Sequence, residues 1–154
     1  MSPPPTLSIA AQRQSIPEMH AFVEAVCREH ALPGNTCHHL MLAIEEACAN
    51  IIEHGYAGME PGSIRVKMRV EPRRVVVTVT DRGWSFDPTG CPPPDLESDC
   101  EHRPIGGLGI YFMKQLMDEV RYRSDRRGGN RLTLVKYLPV ETGGKLSARA
   151  QTDG

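Results

Sequence analysis

Three short segments carry residues able to do chemistry together. Glu45-Glu46-Ala47-Cys48-Ala49-Asn50, followed by Glu53-His54-Gly55-Tyr56, offers a carboxylate, an amide and an imidazole at helical spacing. Asp81-Arg82-Gly83-Trp84-Ser85-Phe86-Asp87 puts an acid and a glycine at the end of an apolar run. Gly106-Gly107-Leu108-Gly109 stands before an amphipathic stretch. In this order they supply a carboxylate base, a metal-binding amide, an acceptor at a strand end and a glycine loop opening a helix. Those are the parts needed to hold Mg-ATP and move its terminal phosphate.

Glu46 and Asn50 are four residues apart, hence neighbours on one helix face, and His54 extends the line by a turn. A carboxylate there can act as general base towards a water or a substrate hydroxyl. The neutral oxygen of Asn50 suits a Mg²⁺ already bound to phosphates. Glu45 points about 100° away around the helix, which favours Glu46 as the base. The same pair also suits an ordinary solvated helix face. Asp81 faces the side of its strand where the core lies, and an acid there needs donors. The exocyclic amine of adenine is one such donor, and Gly83 lets a flat base approach the backbone. Asp-Arg-Gly is equally an ordinary turn sequence. Glycines before a helix bare its N-terminal amides, which bind phosphate. No Gly-Lys-Ser/Thr follows, so this is not a P-loop. The spacing and the absence of a surrounding parallel βαβ unit exclude the dinucleotide fingerprint. A hinge into a helix is the other reading of these glycines.

The elements that must position these residues follow from periodicity. Thr6–Ala10 reads as a short edge strand. Ser15-Ile16-Pro17-Glu18 reads as a capped helix start, with Met19, Phe22, Val23 and Val26 inward and a stop near Leu32-Pro33-Gly34. A longer helix is predicted from Asn35 or Thr36 to His54, with Gly55 as its stop and Leu40, Ala43, Ile44, Ala47 and Ile51 on its apolar stripe. Ser63–Val70 and Arg74–Asp81 alternate cleanly and predict an antiparallel hairpin turning at Glu71-Pro72-Arg73. Residues 88–105 hold five prolines and read as a long loop of the kind that often serves as a lid. A helix is predicted from Gly107 to Asp118. Strands Glu119–Ser124 and Arg131–Leu138 follow, with a turn at Arg127-Gly128-Gly129-Asn130. The order β-α-α-β-β-α-β-β predicts an α+β fold, a two-layer α/β sandwich with helices on one face of a mixed, mostly antiparallel sheet.

Composition bounds the rest. A chain of 154 residues, 40% hydrophobic and 24% charged, is expected to form one globular domain, over about residues 6–139 with loose tails at 1–5 and 140–154. A net charge of −1 does not fit a whole-molecule electrostatic nucleic-acid binder. No apolar run reaches membrane-spanning length, and the first residues show no basic or apolar leader pattern. Five cysteines without a CxxC pair fit a reduced, cytoplasmic protein. Cys91, Cys100 and His102 are irregularly spaced and make a poor metal set. Cys37-His38-His39 reads as a surface patch. Arg121, Arg123, Arg126, Arg127 and Arg131 form a basic cluster that could meet an acidic partner.

Leu42-Ala43-Ile44-Glu45-Glu46-Ala47-Cys48-Ala49-Asn50-Ile51-Ile52-Glu53-His54-Gly55-Tyr56 resembles the N box of the gyrase, Hsp90, histidine kinase and MutL ATPase superfamily, whose nucleotide fold is of the Bergerat type. Asp81-Arg82-Gly83-Trp84-Ser85-Phe86-Asp87-Pro88 and the stretch from Gly106 to Val120 resemble its two glycine boxes. Within it the chain is similar to the small bacterial anti-sigma-factor serine kinases, over about residues 6–139. The resemblance implies Glu46 as catalytic base and Asn50 as the Mg²⁺ ligand. It implies Asp81 and Gly83 at adenine, and Gly106, Gly107, Leu108 and Gly109 at the phosphates. Residues 88–105 would be the lid, with Arg103 as a phosphate contact. Where the family often has Gly-Thr, this chain has Gly129-Asn130, and Asn130 can hydrogen bond in the Thr's place near adenine. ATP and Mg²⁺ are the implied cofactors. The implied partners are a STAS-type anti-sigma-factor antagonist as serine acceptor and a sigma factor, held by a homodimer, with neither nucleic acid nor membrane. Two other activities fit the same parts. One is a nucleotide-gated binding protein without transferase activity, against which Glu46 argues. The other is an ATPase hydrolysing to water, against which the short length argues.

Overall fold

The structure, a computed structural model, describes residues 3–85, 107–125 and 129–139. It contains β1 (Thr6–Ala10), α1 (Ile16–Glu29), α2 (Gly34–Asn50), β2 (Ser63–Val70), β3 (Arg74–Asp81), α3 (Gly107–Leu116), β4 (Glu119–Asp125) and β5 (Gly129–Tyr137). The predicted lid at 88–105, Arg103, Cys91, Cys100, His102, Gly106, Arg126, Arg127 and Gly128 lie outside the described residues.

The strands form one sheet in the order β1-β2-β3-β5-β4. All four pairings are antiparallel, so the parallel element anticipated in a mixed sheet is absent among the described residues. The reason is the insertion of β5. After β3 the chain passes through α3 to β4 at the far edge, and β5 returns between β3 and β4. These two run in the same direction but do not touch.

Alternation sets the faces. Ile64, Val66 and Met68 of β2 stand opposite Asp81, Val79 and Val77 of β3, and Val79 and Val77 stand opposite Leu132 and Leu134 of β5. This face buries against Met19, Val23 and Val26 of α1, Leu40, Ala43, Ile44 and Ala47 of α2, and Ile110 and Met113 of α3. Truncating Leu40 or Ile44, both fully buried, to Ala would cost about 2–5 kcal/mol. The hairpin turns where predicted.

Two helix ends differ from the sequence pattern. Ser15 does not cap α1 with its side chain. A 3₁₀ turn, Arg13–Ser15, leads straight into the helix, and Ser15 already has helical angles (φ −83, ψ −13). A side-chain cap needs extended backbone at that residue. The predicted helix to His54 is α-helical only to Asn50 and ends in a π turn, Ile51–Gly55. The wider turn re-aims Gly55, with consequences described below.

Cys27, Cys37 and Cys48 are free thiols. Burial pushes Cys27 and Cys48 up to about 12, so neither is a thiolate at neutral pH. No helix among the described residues is long and apolar enough to cross a membrane.

Candidate nucleotide-binding site

One pocket brings Asn50 and Asp81 together, while Glu46, Gly83, Gly109 and Asn130 stand around it without lining it. Ala47, Asn50, His54 and Gly55 line it from α2 and its π turn. Asp81 and Trp84 line it from the end of β3, and Ile110 and Met113 from α3. Tyr122 and Leu132 form the sheet-side floor.

Asp81 closes a cross-strand row, Ile64, Asp81, Asn130 and Ser124, on the helix-covered face. It is 9% exposed. Its Oδ1 accepts from the Gly83 N–H at 2.8 Å and from Asn130 Nδ2 at 2.9 Å. Burial raises the Asp81 pKa, and these two donors pull it back. Oδ2 has no donor among the described residues.

Asn130 stands beside Asp81, directly opposite it in the register, and its hydrogen bonds are made within the protein. Nδ2 donates to Asp81 Oδ1, and also to the Gly83 carbonyl at 2.9 Å and the Trp84 carbonyl at 3.3 Å. Its Oδ1 accepts from the Ser124 hydroxyl at 2.7 Å. Asn130 thus fixes the acid and the loop after it.

The π turn explains Gly83. A Cβ on Gly83 would stand 2.1 Å from the Gly55 carbonyl oxygen, so no other residue fits without moving backbone. That same carbonyl accepts the Trp84 N–H. Tyr56 pins the junction from the other side. Its hydroxyl donates to the Ser63 carbonyl and accepts the Arg82 N–H, both at 2.9 Å. Trp84 is 61% exposed, with its indole N–H on the Ala57 carbonyl at 2.7 Å. Sequence reading gave neither Tyr56 nor Trp84 a role. An aromatic beside each of two glycine-bearing segments was the signal available.

Glu46 and Asn50 meet as their spacing requires. Asn50 Nδ2 donates to the Glu46 carbonyl at 3.0 Å and to Glu46 Oε2 at 3.3 Å. Burial raises the Glu46 pKa most, the charges of Glu53 and then Glu45 add to it, and the Asn50 bond opposes it. Glu45 instead turns to α1, where its Oε1 lies 2.5 Å from His20 Nε2. The two adjacent glutamates therefore divide, Glu46 towards Asn50 and the start of α3 and Glu45 towards α1. Gly109, in the first turn of α3, stands against Glu46: a Cβ there would lie 2.0 Å from Oε2. Gly107 and Leu108 open the same turn, whose amides have no intrahelical acceptor.

Among the described residues no cluster of three or more His, Cys, Asp or Glu could hold a metal by itself. The Asn50 amide nitrogen is bonded to Glu46, which leaves its amide oxygen without a hydrogen bond among the described residues. Hard oxygen donors of this kind suit a Mg²⁺ that arrives with phosphates, which needs few protein ligands.

An antiparallel sheet covered on one face by helices, with an acid at a strand end and a carboxylate–amide pair on the facing helix, defines an ATPase-type nucleotide fold. The chain belongs to the histidine kinase-like ATPase domain family, matching it over residues 9–136. Its relatives include the serine-protein kinase RsbW of Bacillus licheniformis, 36% identical over 106 residues. That alignment covers 66% of this chain and 65% of the relative. The serine-protein kinase RsbW of Bacillus thuringiensis (strain Al Hakam) is 27% identical over 139 residues, covering 88% of this chain and 85% of the relative. Among solved structures, the crystal structure of RsbU and RsbW domains from Mycobacterium tuberculosis superposes with a TM-score of 0.62 at 23% identity. It covers 89% of this chain and 33% of that one. A histidine kinase domain from Erythrobacter litoralis gives 0.53 at 16% identity, covering 81% and 60%. These last two speak to the fold.

Proposed function

We propose that this chain is an ATP-dependent protein-serine kinase that also acts as an anti-sigma factor. The carrying observation is the Asp81 carboxylate, pinned through Oδ1 and open at Oδ2, in one pocket with Asn50 of the Glu46–Asn50 pair. Relatives named serine-protein kinase support the reaction class.

In this reading Asp81 Oδ2 accepts the adenine amine, and Gly83 lets the base lie close to the backbone. The amides of Gly107, Leu108 and Gly109 at the α3 N-terminus face the phosphates. Asn50 would offer its amide oxygen to Mg²⁺, which would supply charge neutralisation at the phosphates. Glu46 takes the proton from the acceptor's serine hydroxyl as that oxygen attacks the γ-phosphorus. The bond from the γ-phosphorus to the β–γ bridging oxygen breaks, and ADP leaves. The raised pKa, caused first by burial, makes the Glu46 carboxylate a stronger base than a solvated glutamate.

The acceptor is a STAS-type antagonist, and the sequestered partner is a sigma factor held by a homodimer in the cytoplasm. Phosphorylated antagonist no longer competes, so the sigma factor stays bound. The test is incubation with γ-labelled ATP, Mg²⁺ and the candidate antagonist, followed by mass spectrometry of the labelled peptide. Phosphate on one serine is the expected result. An unmodified antagonist, with binding of ATP and of the antagonist both demonstrated, would overturn the kinase reading.

A further inference from the structure

The helices cover one face of the sheet, and the register lines up cations on the other. One cross-strand row reads Ser8, Arg65, Thr80, Arg131 and Arg123. The next reads Thr6, Lys67, Thr78, Thr133 and Arg121. Arg65, Arg121, Arg123 and Arg131 are exposed, and Lys67 is half-buried. Arg121 is neutralised by Glu119. Arg65, Lys67, Arg123 and Arg131 have no acidic partner among the described residues.

Two further features set this face apart from a solvated one. Arg123 and Arg131 are directly opposite one another, a like-charge pairing that destabilises a sheet. A groove of about 620 Å³ runs over the face, lined by Arg65, Lys67, Arg82 and Arg131 with the hydroxyl-bearing Thr78 and Thr80. Asp81 borders it only from behind, since its carboxylate is bonded to Asn130 on the helix side. An anion seated here would relieve the arginine repulsion and find hydroxyl donors beside it. Meanwhile α1 and α2 carry Glu18, Glu24, Glu29, Glu45 and Glu46 against Arg28 alone, and on the open face the acids Glu119 and Asp125 are confined to the edge strand β4.

We propose that this open sheet face is a docking surface for an acidic protein segment in extended conformation. Alternate side chains of an extended segment are about 6.6 Å apart, which matches the spacing of Arg65 and Lys67, or of Arg121 and Arg123, along their strands. Single-stranded nucleic acid is disfavoured, because it relies on exposed aromatic platforms, neither row contains a ring, and Tyr56 at the groove's border is buried with its hydroxyl bonded to Ser63 and Arg82. A two-fold dimer through this face would set cation rows against each other. The surface lies across the sheet from the nucleotide pocket, so it does not depend on the assignment of that site.

The test is fluorescence anisotropy with a labelled octapeptide of alternating Glu and Thr, its Gln-for-Glu counterpart and an oligothymidylate of similar charge. The Glu peptide should bind, and bind less well as salt rises. The Arg65→Glu/Lys67→Glu variant should lose about tenfold in affinity, with ATP affinity and Tm unchanged. Absence of Glu-peptide binding, equal binding of the Gln peptide, or tighter binding of the oligonucleotide would overturn the proposal. So would light scattering showing that the double variant dissolves a dimer, because the face would then belong to a second copy.

Discussion

Replacing Asp81 by asparagine should do more than remove a charge, because the geometry dictates which way the new amide points. Asp81 Oδ1 accepts from both the Gly83 N–H and Asn130 Nδ2. In Asp81→Asn the amide oxygen must take that position, since a nitrogen there would face two donors. The new NH₂ group then points into the pocket, donor to donor against the adenine amine. The loss includes a hydrogen bond to a charged acceptor, about 1.5–3 kcal/mol, and leaves polar hydrogens unpaired on both sides. A total of about 3 kcal/mol corresponds to roughly a hundredfold or more in Kd. Calorimetric titration with ATP reads this directly. Inosine triphosphate carries a carbonyl where adenine carries the amine, so it should bind the variant better than ATP does, reversing the wild-type order. The fold should survive, because the side chains are isosteric and burial already disfavours the ionised acid. Asp81's raised pKa means its stabilising contribution is present at low pH and lost as pH rises through that pKa. At neutral pH the neutral amide therefore carries no such cost, and Tm should not fall. An Asp81→Asn variant that binds ATP within about threefold of wild type, with no gain for inosine triphosphate, would refute the adenine assignment.

Asn130→Ala should weaken ATP binding by about tenfold and destabilise the fold by about 2–4 kcal/mol, read by titration and denaturant melts, because it strips one donor from Asp81 and orphans two carbonyls. Gly83→Ala should abolish ATP binding or lower Tm sharply, since the new Cβ meets the Gly55 carbonyl, which is backbone. Transfer should follow a rising acid limb whose midpoint lies above the ordinary glutamate value, because Glu46 must be ionised to act and its pKa is raised. The same shift makes the ionised form less favourable in the folded state, so Glu46→Gln should keep or raise Tm at neutral pH, measured by scanning calorimetry.

Much of this was legible from local pattern. The β2–β3 hairpin could be read because strict alternation with one buried face permits only one register. The Glu46–Asn50 contact could be read because helical spacing is nearly rigid. The end of α2 could not. It closes in a π turn whose Gly55 carbonyl accepts the Trp84 N–H and stands against Gly83, residues remote in sequence. The task of Asn130 was hidden for a similar reason. Its amide reaches Asp81 across 49 positions of chain, and only the β3–β5 register brings them face to face. Ser15 misled because a cap signature says nothing about a 3₁₀ turn arriving from upstream. The arginines of β4–β5 were legible as a basic cluster that could meet an acidic partner, but Arg65 and Lys67 of β2 could not be joined to it from sequence. Only the strand order β2-β3-β5-β4 merges them into one face.

The most direct test of the central claim is single-turnover transfer of the γ-phosphate from ATP to the antagonist's serine, comparing wild type with Glu46→Gln at saturating ATP. Glu46 as base predicts a loss of about 10²–10⁴ in rate with ATP affinity nearly unchanged. Equal rates in the two proteins, or a loss explained entirely by weaker ATP binding, would contradict it.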